Sequence, residues 1–363
     1  MLCKVKLKNY RNLEDLDISV NPKSTIIIAP NSTGKTNFLE SIYLNIYGSP
    51  FKSIENIKEV IGAQTNFCKA TLEWQDSTTE VVVSLIDNVV KKTYFFNSKP
   101  TTLSKLSISH SAVIFAPDSV DIISGDPSLR RQDLDNYLSS IFKEYNQAIL
   151  NYNKILKNRN ALLKIIRDNK ASKKELLFWT DKLIENAAII YAHRVKFFET
   201  IEPYVVQVVQ EMSIFLKEDD YKFLKLTYIP NVKAINQDYS ASLKSKYEEN
   251  FDKEVIVGKT LYGVHKDDFS LFIKDKNIRF YGSRGQQRLA TLLIKLAQIK
   301  YFKELKTYEP LFLIDDLMSE LDSGNRDKVS EYLLHSGIQF VLTTAEELEI
   351  PKTLMGNSTL VTL

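Results

Sequence analysis

The hydrophobic positions along the chain follow a period of two in some regions and of three to four in others. Residues 2–7 and 15–20 alternate between apolar and polar side chains, and residues 67–96 do so again between polar turns. This alternation predicts antiparallel strands that are buried on one face. From 130 to 217 apolar residues recur every three or four positions, glycine is absent and Pro203 is the sole proline, which predicts long helices.

Further apolar segments follow the same two patterns on either side of this helical insertion. Short runs bounded by turn residues predict strands, and segments with helical spacing predict helices. An α/β sheet assembled from both ends of the chain accounts for their order. The predicted strands lie at 112–115, 221–228, 269–280, 311–314 and 338–342, and the predicted helices at 239–250, 289–300 and 324–334.

The stretch between Ser24 and Asn37 joins a strand pattern to a helix pattern. A β-branched run at 25–28 is typical of a buried parallel strand, and apolar residues recur at helical spacing from Phe38 onward. The sequence between them, APNSTGKT, matches the phosphate-binding loop pattern, with Ala29 at its first glycine position. We therefore predict a nucleotide site. Its candidate residues are Ala29, Pro30, Asn31, Ser32, Thr33, Gly34, Lys35, Thr36 and Asn37.

The residues of this loop have the chemistry that ATP and Mg²⁺ require. Backbone N–H groups at a helix N-terminus surround a phosphate group, helped by the positive end of the helix dipole. Lys35 would place its charge on the β- and γ-phosphates, and the Thr36 hydroxyl would hold Mg²⁺. Ala29 and Ser32 stand where glycine is more usual, and any side chain penalises a positive φ. We expect binding to survive and the phosphate geometry to be less tight.

The apolar run at 311–314 ends in two aspartates. Asp315 and Asp316 therefore stand at the carboxyl end of a buried strand, where α/β sheets place their sites. Asp315 is the candidate ligand of Mg²⁺, and Asp316 is positioned to polarise the attacking water as general base. An Asp pair at a strand end is more often a turn or a helix cap. The apolar strand before it and the phosphate loop elsewhere in the chain favour the catalytic interpretation.

A second helix start is rich in small and polar residues. The segment from Ser283 to Arg288 reads SRGQQR and leads into the helix predicted at 289–300. Backbone amides at such a start form an anion site, and one nucleotide does not need two helix N-termini from the same subunit. We therefore expect this helix start to face the γ-phosphate bound by another copy of the chain. The candidate residues are Ser283, Arg284, Gly285, Gln286 and Gln287.

The overall composition is that of an ordinary globular protein. The 363 residues are 44% hydrophobic and 26% charged, and 48 Lys and Arg against 45 Asp and Glu leave a net charge of +3. This charge is too small to indicate a polyanionic partner. Cys3 and Cys68 cannot form a disulfide framework, and the chain shows neither a signal-peptide core nor a membrane-spanning run. We expect a cytoplasmic protein with no membrane partner.

Positive charge is concentrated in the helical insertion. Residues 151–200 contain 11 Lys and Arg against 5 Asp and Glu, an excess of six. A solvated lysine-rich face and a nucleic-acid-binding face explain this excess equally well. We assign the aromatic pairs Phe197/Phe198 and Tyr301/Phe302 to the core, because base-stacking surfaces usually come with Gly-rich strands or grooves.

Several segments together resemble a known family. The phosphate loop, the SRGQQR helix, the DD strand and SELD at Ser319–Asp322 are similar to the ABC-type ATPases of the SMC kind, and within that group to the RecF family of bacterial DNA replication and repair proteins. The likeness covers nearly the whole chain. Its segments are LKNYRNLEDLDI, GKTNFLESIY, FAPDSVDIISGDPSLRRQDLD, GVHKDD, SRGQQR and LIDDLMSELD.

The resemblance implies an α/β fold, namely a P-loop ATPase head of the ABC/SMC type with two lobes and no long coiled coil. The first lobe would comprise residues 1–120 and 300–363, and a mainly helical second lobe, 121–299, would carry the signature helix. The resemblance also implies that Lys35 and Asp316 are catalytic, and that Arg11 lies close to the nucleotide or to DNA. The implied D-loop residues are Ser319, Glu320, Leu321 and Asp322.

The function implied by the resemblance is ATP-dependent DNA binding in recombinational repair and replication, within the response to DNA damage and the SOS response. ATP would close a homodimer on double-stranded DNA at a single-strand gap. This dimer would help RecO and RecR proteins to load RecA. Slow, DNA-stimulated hydrolysis of ATP to ADP and phosphate would accompany the cycle.

Two other interpretations share the nucleotide site. In the first, Ala29 and Ser32 have cost the protein its hydrolysis, and it serves as a nucleotide-binding scaffold; the intact Asp315 and Asp316 argue against this. In the second, the chain is the energy-coupling cassette of a membrane transporter. The basic helical insertion argues against a cassette, as does the absence of the transporter-type histidine after the strand at 338–342.

Overall fold

Two compact units make up the part of the chain that the structure describes. The computed structural model describes residues 1–52, 56–106, 109–213, 224–306 and 308–363. As far as they are described, Met1–Val120, Tyr204–Lys222 and Ser283–Leu363 form the first unit, and Asp121–Pro203 and Phe223–Gly282 form the second.

The strands and helices are numbered in chain order. The strands are β1 Leu2–Tyr10, β2 Leu13–Ser19, β3 Ser24–Ile28, β4 Phe67–Trp74, β5 Thr78–Ile86, β6 Val89–Phe96, β7 Lys99–Thr101, β8 Ala112–Phe115, β9 Leu224–Ile229, β10 Asp268–Ile273, β11 Lys276–Asn277, β12 Leu311–Asp315, β13 Phe340–Thr344 and β14 Thr359–Thr362. The helices are α1 Lys35–Tyr47, α2 Leu103–Leu106, α3 Asp121–Ser124, α4 Pro127–Ile141, α5 Lys143–Arg167, α6 Lys173–Thr200, α7 Glu202–Ser213, α8 Tyr239–Glu249, α9 Phe251–Val257, α10 Ile278–Tyr281, α11 Arg284–Leu305, α12 Ser323–His335 and α13 Lys352–Gly356.

The boundary between the units differs from the predicted one. Residues 204–213 and 283–299, which we assigned to the second lobe, fall in the first unit. The reason is packing: α11, which begins at Arg284, is buried along most of its length and contacts β8. Leucines such as Leu292 and Leu296 are fully buried there, so the signature helix belongs to the core of the first unit.

One predicted strand is partly wrong. The segment 269–280 contains β10 and the short β11, but residues 278–281 form α10. This helix begins because the Asn277 side chain accepts a hydrogen bond from the Arg279 N–H (2.9 Å) and so caps the first turn. The predicted strand start at 221–223 and the predicted helix end at 214–217 lie outside the described residues.

A parallel sheet in the first unit has the strand order β14-β3-β13-β12-β8. Its three inner strands and β8 are almost entirely buried, which confirms that their apolar runs are core strands. The register pairs Leu342 with Ile26 and Leu313 with Ile114. Because all these strands run in the same direction, the segments that follow β3, β12 and β13 meet at one edge of the sheet.

An antiparallel sheet of the order β2-β1-β4-β5-β6-β7 completes the first unit. Helix α1 packs between the two sheets, since Phe38 and Ile42 share one hydrophobic cluster with Val5, Leu72 and Leu313. Each such side chain contributes about 1.5–3 kcal/mol when fully buried. The helix that follows the phosphate loop is therefore fixed on two sides.

The second unit combines long helices with a small antiparallel sheet of the order β11-β10-β9. Helices α5 and α6 pack against each other and are 25 and 28 residues long, so the described residues contain no long coiled coil. Phe198 stacks on Tyr228 and Phe197 is buried, as predicted for core aromatics. Of the helices that the structure describes, none has both the length and the apolar composition needed to cross a bilayer.

Candidate nucleotide-binding site

A cavity of about 230 Å³ lies at the carboxyl edge of the parallel sheet. It is open to solvent on one side and combines the phosphate loop with the end of β12. Of the predicted loop residues, Ala29, Pro30 and Thr33 do not line the cavity. Lys52 and Pro117 line it, although we had not assigned them to the site. The lining residues are Asn31, Ser32, Gly34, Lys35, Thr36, Asn37, Lys52, Pro117, Asp315 and Asp316.

The backbone of the phosphate loop takes up the left-handed conformation at two positions. Gly34 has φ of 116°, and a Cβ there would lie 2.7 Å from Leu13 Cδ2, so only glycine fits. Ser32 has φ of 69°, although it carries a side chain. The expected penalty therefore falls on Ser32, whereas Ala29 does not have a positive φ.

The Lys35 ammonium group lies over the loop that precedes it. Its Nζ atom donates hydrogen bonds to the carbonyl oxygens of Ala29 (2.6 Å) and Pro30 (3.1 Å) and to Asn31 Oδ1 (3.3 Å). The side chain is buried apart from the face that lines the cavity. These contacts hold a positive charge at the centre of the loop, where phosphate oxygens would bind.

Asn12, which we did not predict as a site residue, supports the phosphate loop through its side chain. It lies in the turn between β1 and β2, and its Nδ2 donates to the Thr33 carbonyl (3.0 Å) and more weakly to that of Ser32 (3.4 Å). Its Oδ1 accepts from Asn37 Nδ2 (2.7 Å). The turn therefore holds the strained residue of the loop and the first turn of α1 with one side chain.

Three residues from distant parts of the chain form a hydrogen-bonded row at the base of the cavity. The Thr36 hydroxyl donates to Asp315 Oδ2 (2.7 Å), and the Thr343 hydroxyl donates to Asp315 Oδ1 (2.7 Å). Thr343 lies in β13 and is fully buried. The Thr36 and Asp315 oxygens are the hard donors that Mg²⁺ prefers, so the residues present fit this ion. Thr343 carried no sequence signal, since it is an ordinary residue of a buried strand.

Asp316 is held in an unusual conformation beside Asp315. Its φ is 49°, and its N–H donates to the Thr343 carbonyl (3.1 Å). Among the described residues, no hydrogen-bond donor reaches its buried Oδ1 atom. Burial raises the pKa of this carboxyl group, and the negative charges of Glu349 and Asp315 raise it further against the attraction of Lys35. A carboxylate with raised proton affinity is suited to the role of general base.

The signature helix α11 begins with a reciprocal cap. The Ser283 hydroxyl accepts from the Gln286 N–H (3.2 Å), and Gln286 Oε1 accepts from the Ser283 N–H (3.0 Å). Ser283, Arg284 and Gly285 are exposed, whereas Gln287 is buried. The exposed helix start thus consists of Ser283, Arg284 and Gly285, and Gln286 completes the cap by binding back to Ser283.

The implied D-loop connects β12 to α12. The Ser319 hydroxyl donates to the Asp316 carbonyl (3.0 Å), which ties the segment to the end of β12. Asp322 caps α12, because its Oδ1 accepts from the N–H three positions further on (3.0 Å). Leu321 is buried, and the side chain of Glu320 lies outside the described part of the structure.

Arg11 does not line the cavity. Its Nε donates to Glu40 Oε2 (2.7 Å), which also accepts from the Tyr10 hydroxyl (3.2 Å). Glu40 lies in α1 and is fully buried, and this burial raises the pKa of its carboxyl group. The pair fastens the β1–β2 turn to the helix that carries Lys35 and Thr36.

Two segments that carried the resemblance meet inside the second unit. From GDPSLRR, Arg130 forms a bidentate pair with Asp268 of GVHKDD (2.5 and 2.9 Å). Arg194 of α6 binds Asp267 (2.9 Å) and Asp135 (2.7 Å) and is almost fully buried. Both segments therefore contribute to ion pairs that hold α4, α6 and the start of β10 together.

The basic excess of the helical insertion is smaller at the surface than in the sequence. Arg159 and Arg194 are both buried, the former paired with Glu254 (2.6 Å). Nine exposed Lys and Arg remain in residues 151–200 against five exposed Asp and Glu, an excess of four. Part of the charge that had suggested a nucleic-acid face is thus internal.

Comparison with known proteins identifies the family of this chain. The family model for the RecF/RecN/SMC N terminal domain matches residues 1–357. The DNA replication and repair protein RecF of Bacillus mycoides (strain KBAB4) is 31% identical over 354 residues, which cover 95% of this chain and 92% of that protein.

Solved structures agree at the level of the fold. A structure of the recombination mediator protein RecF with ATP, in the RecFOR pathway, has a TM-score of 0.84 and 26% identity, covering 96% of this chain and 93% of that one. A second, described as RecF-ATPrS, has a TM-score of 0.85 and 24% identity, covering 100% and 96%. The predicted SMC-type ATPase head is confirmed. Because the family model spans nearly the whole chain and a RecF protein is 31% identical over 95% of it, the chain belongs to the RecF family of DNA replication and repair proteins, within the RecF/RecN/SMC group.

Proposed function

We propose that this chain is an ATP-dependent DNA-binding protein of recombinational repair. The observation that carries the proposal is the 2.7 Å hydrogen bond between the Thr36 hydroxyl and the Asp315 carboxylate. It brings two oxygen ligands from opposite ends of the chain to the rim of the phosphate loop. This is the arrangement that a Mg²⁺-bound nucleoside triphosphate requires.

The proposed chemistry divides among four residues. Lys35 and the N–H groups at the start of α1 would hold the β- and γ-phosphates. Mg²⁺, held by Thr36 and Asp315, would neutralise charge on the same phosphates. Asp316 would orient the attacking water and accept its proton, which its raised pKa favours.

We propose that the catalytic site is completed by a second copy of the chain. The start of α11 exposes Ser283, Arg284 and Gly285, and this helix is 22 residues long, so its N-terminus carries the full partial charge of the dipole. Placed over the cavity of a second copy, it would stabilise the γ-phosphate. ATP would then hold the homodimer together and hydrolysis would release it.

The proposed partners follow from the family. We propose binding to double-stranded DNA at single-strand gaps, with RecO and RecR as mediators that load RecA. The similarity to a RecF protein described as part of the RecFOR pathway supports a role in that pathway. The exposed lysines of α5 and α6 are available for phosphate contacts, although their excess is modest. We place this activity in the cytoplasm.

The proposal is tested by measuring ATP hydrolysis over a range of protein concentrations, with and without gapped duplex DNA. We expect slow turnover per chain that rises with protein concentration and with DNA, because the site is shared between two copies. Asp316→Asn serves as the blank, and Ser283→Arg should bind ATP as a monomer without turnover. Tight ATP binding without turnover under every condition would favour the scaffold interpretation instead.

A further inference from the structure

The loop that follows β13 exposes a leucine among glutamates. Leu348 is 93% exposed, more than any other large hydrophobic residue that the structure describes. Glu346 and Glu347 beside it are exposed as well, and Glu349 is half-buried. Burying such a leucine contributes about 1.5–3 kcal/mol, so a surface that covers it would gain a substantial contact. We call residues Glu346–Glu349 the acidic loop.

The acidic loop follows β13 at the same carboxyl edge of the parallel sheet as the phosphate loop. Thr344, the last residue of β13, pairs in register with Ile28, the residue before the phosphate loop. Its hydroxyl donates to Glu349 Oε2 (2.7 Å), which anchors the loop to the strand. The charge of Glu349 also reaches Asp316, whose pKa it helps to raise. A second copy placed over the cavity would therefore approach the same edge of the sheet as the acidic loop.

The segment Phe280–Arg284, which leads into the signature helix α11, is positively charged where the acidic loop is negative. The start of α11 combines the positive end of the helix dipole with the exposed Arg284. Just before it in the chain stand Phe280 and Tyr281, which are 72% and 73% exposed. Since two residues span at most about 7 Å, Tyr281 lies close to Ser283 whatever the backbone conformation. Along the chain, two exposed aromatic residues thus stand directly before the positive helix start.

We propose that the acidic loop of one copy docks on the Phe280–Arg284 segment of a second copy when ATP is bound. Leu348 would pack on the aromatic pair, and the glutamates would face Arg284 and the helix start. The inference rests on the proposed function, because that function brings the signature helix of one copy over the cavity of the other. It adds a contact that involves neither nucleotide nor metal. The charges on the two surfaces are complementary, which favours a second copy as the occupant.

The contact is tested with Leu348→Ser, using sedimentation velocity with ATP and Mg²⁺ in an Asp316→Asn background that retains the nucleotide. We expect the dissociation constant of the dimer to rise at least about tenfold, the size of effect that loss of an anchoring side chain has at an interface. Leu360→Ser is the matched control, since Leu360 is an exposed leucine of the same unit on the edge strand β14. Binding of a fluorescent ATP analogue should be unchanged in both variants.

A crosslink identifies the surface that Leu348 meets. In a Cys3→Ser background, in which the buried Cys68 is protected, a Leu348→Cys chain is mixed with a Tyr281→Cys chain and treated with a short bismaleimide. A crosslinked heterodimer that requires ATP supports the inference. A dimer of unchanged affinity in Leu348→Ser, or no crosslink under conditions where the dimer forms, overturns it alone. Failure of the unsubstituted protein to dimerise with ATP would overturn the proposed function together with this contact.

Discussion

Two threonine hydroxyls determine how the Asp315 carboxylate is held. Each carboxylate oxygen accepts one of them at 2.7 Å, from Thr36 on one side and from Thr343 on the other. If Asp315 holds Mg²⁺ as proposed, the buried Thr343 would orient its carboxylate through the hydrogen bond to Oδ1. In the proposed site, Thr343 would therefore position a metal ligand without touching the metal.

We predict that Thr343→Val weakens the response to Mg²⁺. Valine has nearly the same shape but leaves Asp315 Oδ1 without its donor. The Mg²⁺ concentration for half-maximal ATP hydrolysis should rise by about 10–100-fold, as for other partners of metal ligands. Thr343→Ser keeps the hydroxyl and should respond like the unsubstituted protein. Equal Mg²⁺ dependence in the two variants would show that the hydroxyl has no such role.

The raised pKa of Asp316 predicts an acid limit on turnover. An ordinary aspartate titrates near pH 3.9, and this one loses its base form at a higher pH because burial and nearby carboxylates favour the protonated state. As the pH is lowered, single-turnover hydrolysis should therefore fall at a higher pH than it would with an ordinary aspartate as the base. Glu349→Gln removes one negative charge and should move this limb to lower pH. A limb that stays in place would rule out Glu349 as a contributor.

At the level of elements, the β1–β2 turn supports the phosphate loop. Arg11 fastens the turn to Glu40 of α1, and Asn12 binds the loop carbonyls and Asn37. These contacts hold the left-handed backbone at Ser32, a position where glycine would be free of strain. The turn thus compensates for a departure from the glycine-rich loop pattern.

We predict that Asn12→Ala weakens nucleotide binding more than it weakens the fold. Loss of its hydrogen bonds should raise the Kd for ATP by roughly tenfold, equivalent to about 1.4 kcal/mol. Asn21→Ala is the control, since Asn21 also binds through its side chain but at the opposite end of β3. If both variants change ATP affinity equally, the support is general to the strand rather than specific to the loop.

At the level of the whole molecule, the stability of the second unit depends on buried ion pairs. Arg194 binds two carboxylates and the Val264 carbonyl (2.7 Å) in a fully buried position. Replacing it by leucine would leave Asp267 buried without its cation, which costs about 3–5 kcal/mol. We expect urea denaturation to show this loss in Arg194→Leu. In Lys182→Ala, which breaks only an exposed pair with Glu185, the change should stay under about 1 kcal/mol.

Sequence patterns predicted best where a single segment carries the signal. The parallel strand at 112–115 was located to the residue, because its apolar run begins after polar residues and ends at Ala116, Pro117 and Asp118. The segment 269–280 was misjudged at its end, since a short helix there is started by one Asn cap rather than by a period. The lobe boundary differed for a similar reason: the packing of α11 on β8 joins segments that are distant in the chain.

The sequence by itself determined the phosphate loop, the aspartate pair after β12 and the polar start of α11, since each is a local order of strand, loop and helix residues. Only the tertiary structure decided which side chains meet. Thr36 and Asp315 are 279 positions apart, and the contacts of Thr343 and Asn12 are visible only after the sheets have formed. The burial of Arg159 and Arg194 could not be predicted either, because a charged residue is expected at the surface unless its buried partner is known. Local pattern encodes elements, whereas hydrogen bonds and burial depend on residues that the chain brings together by folding.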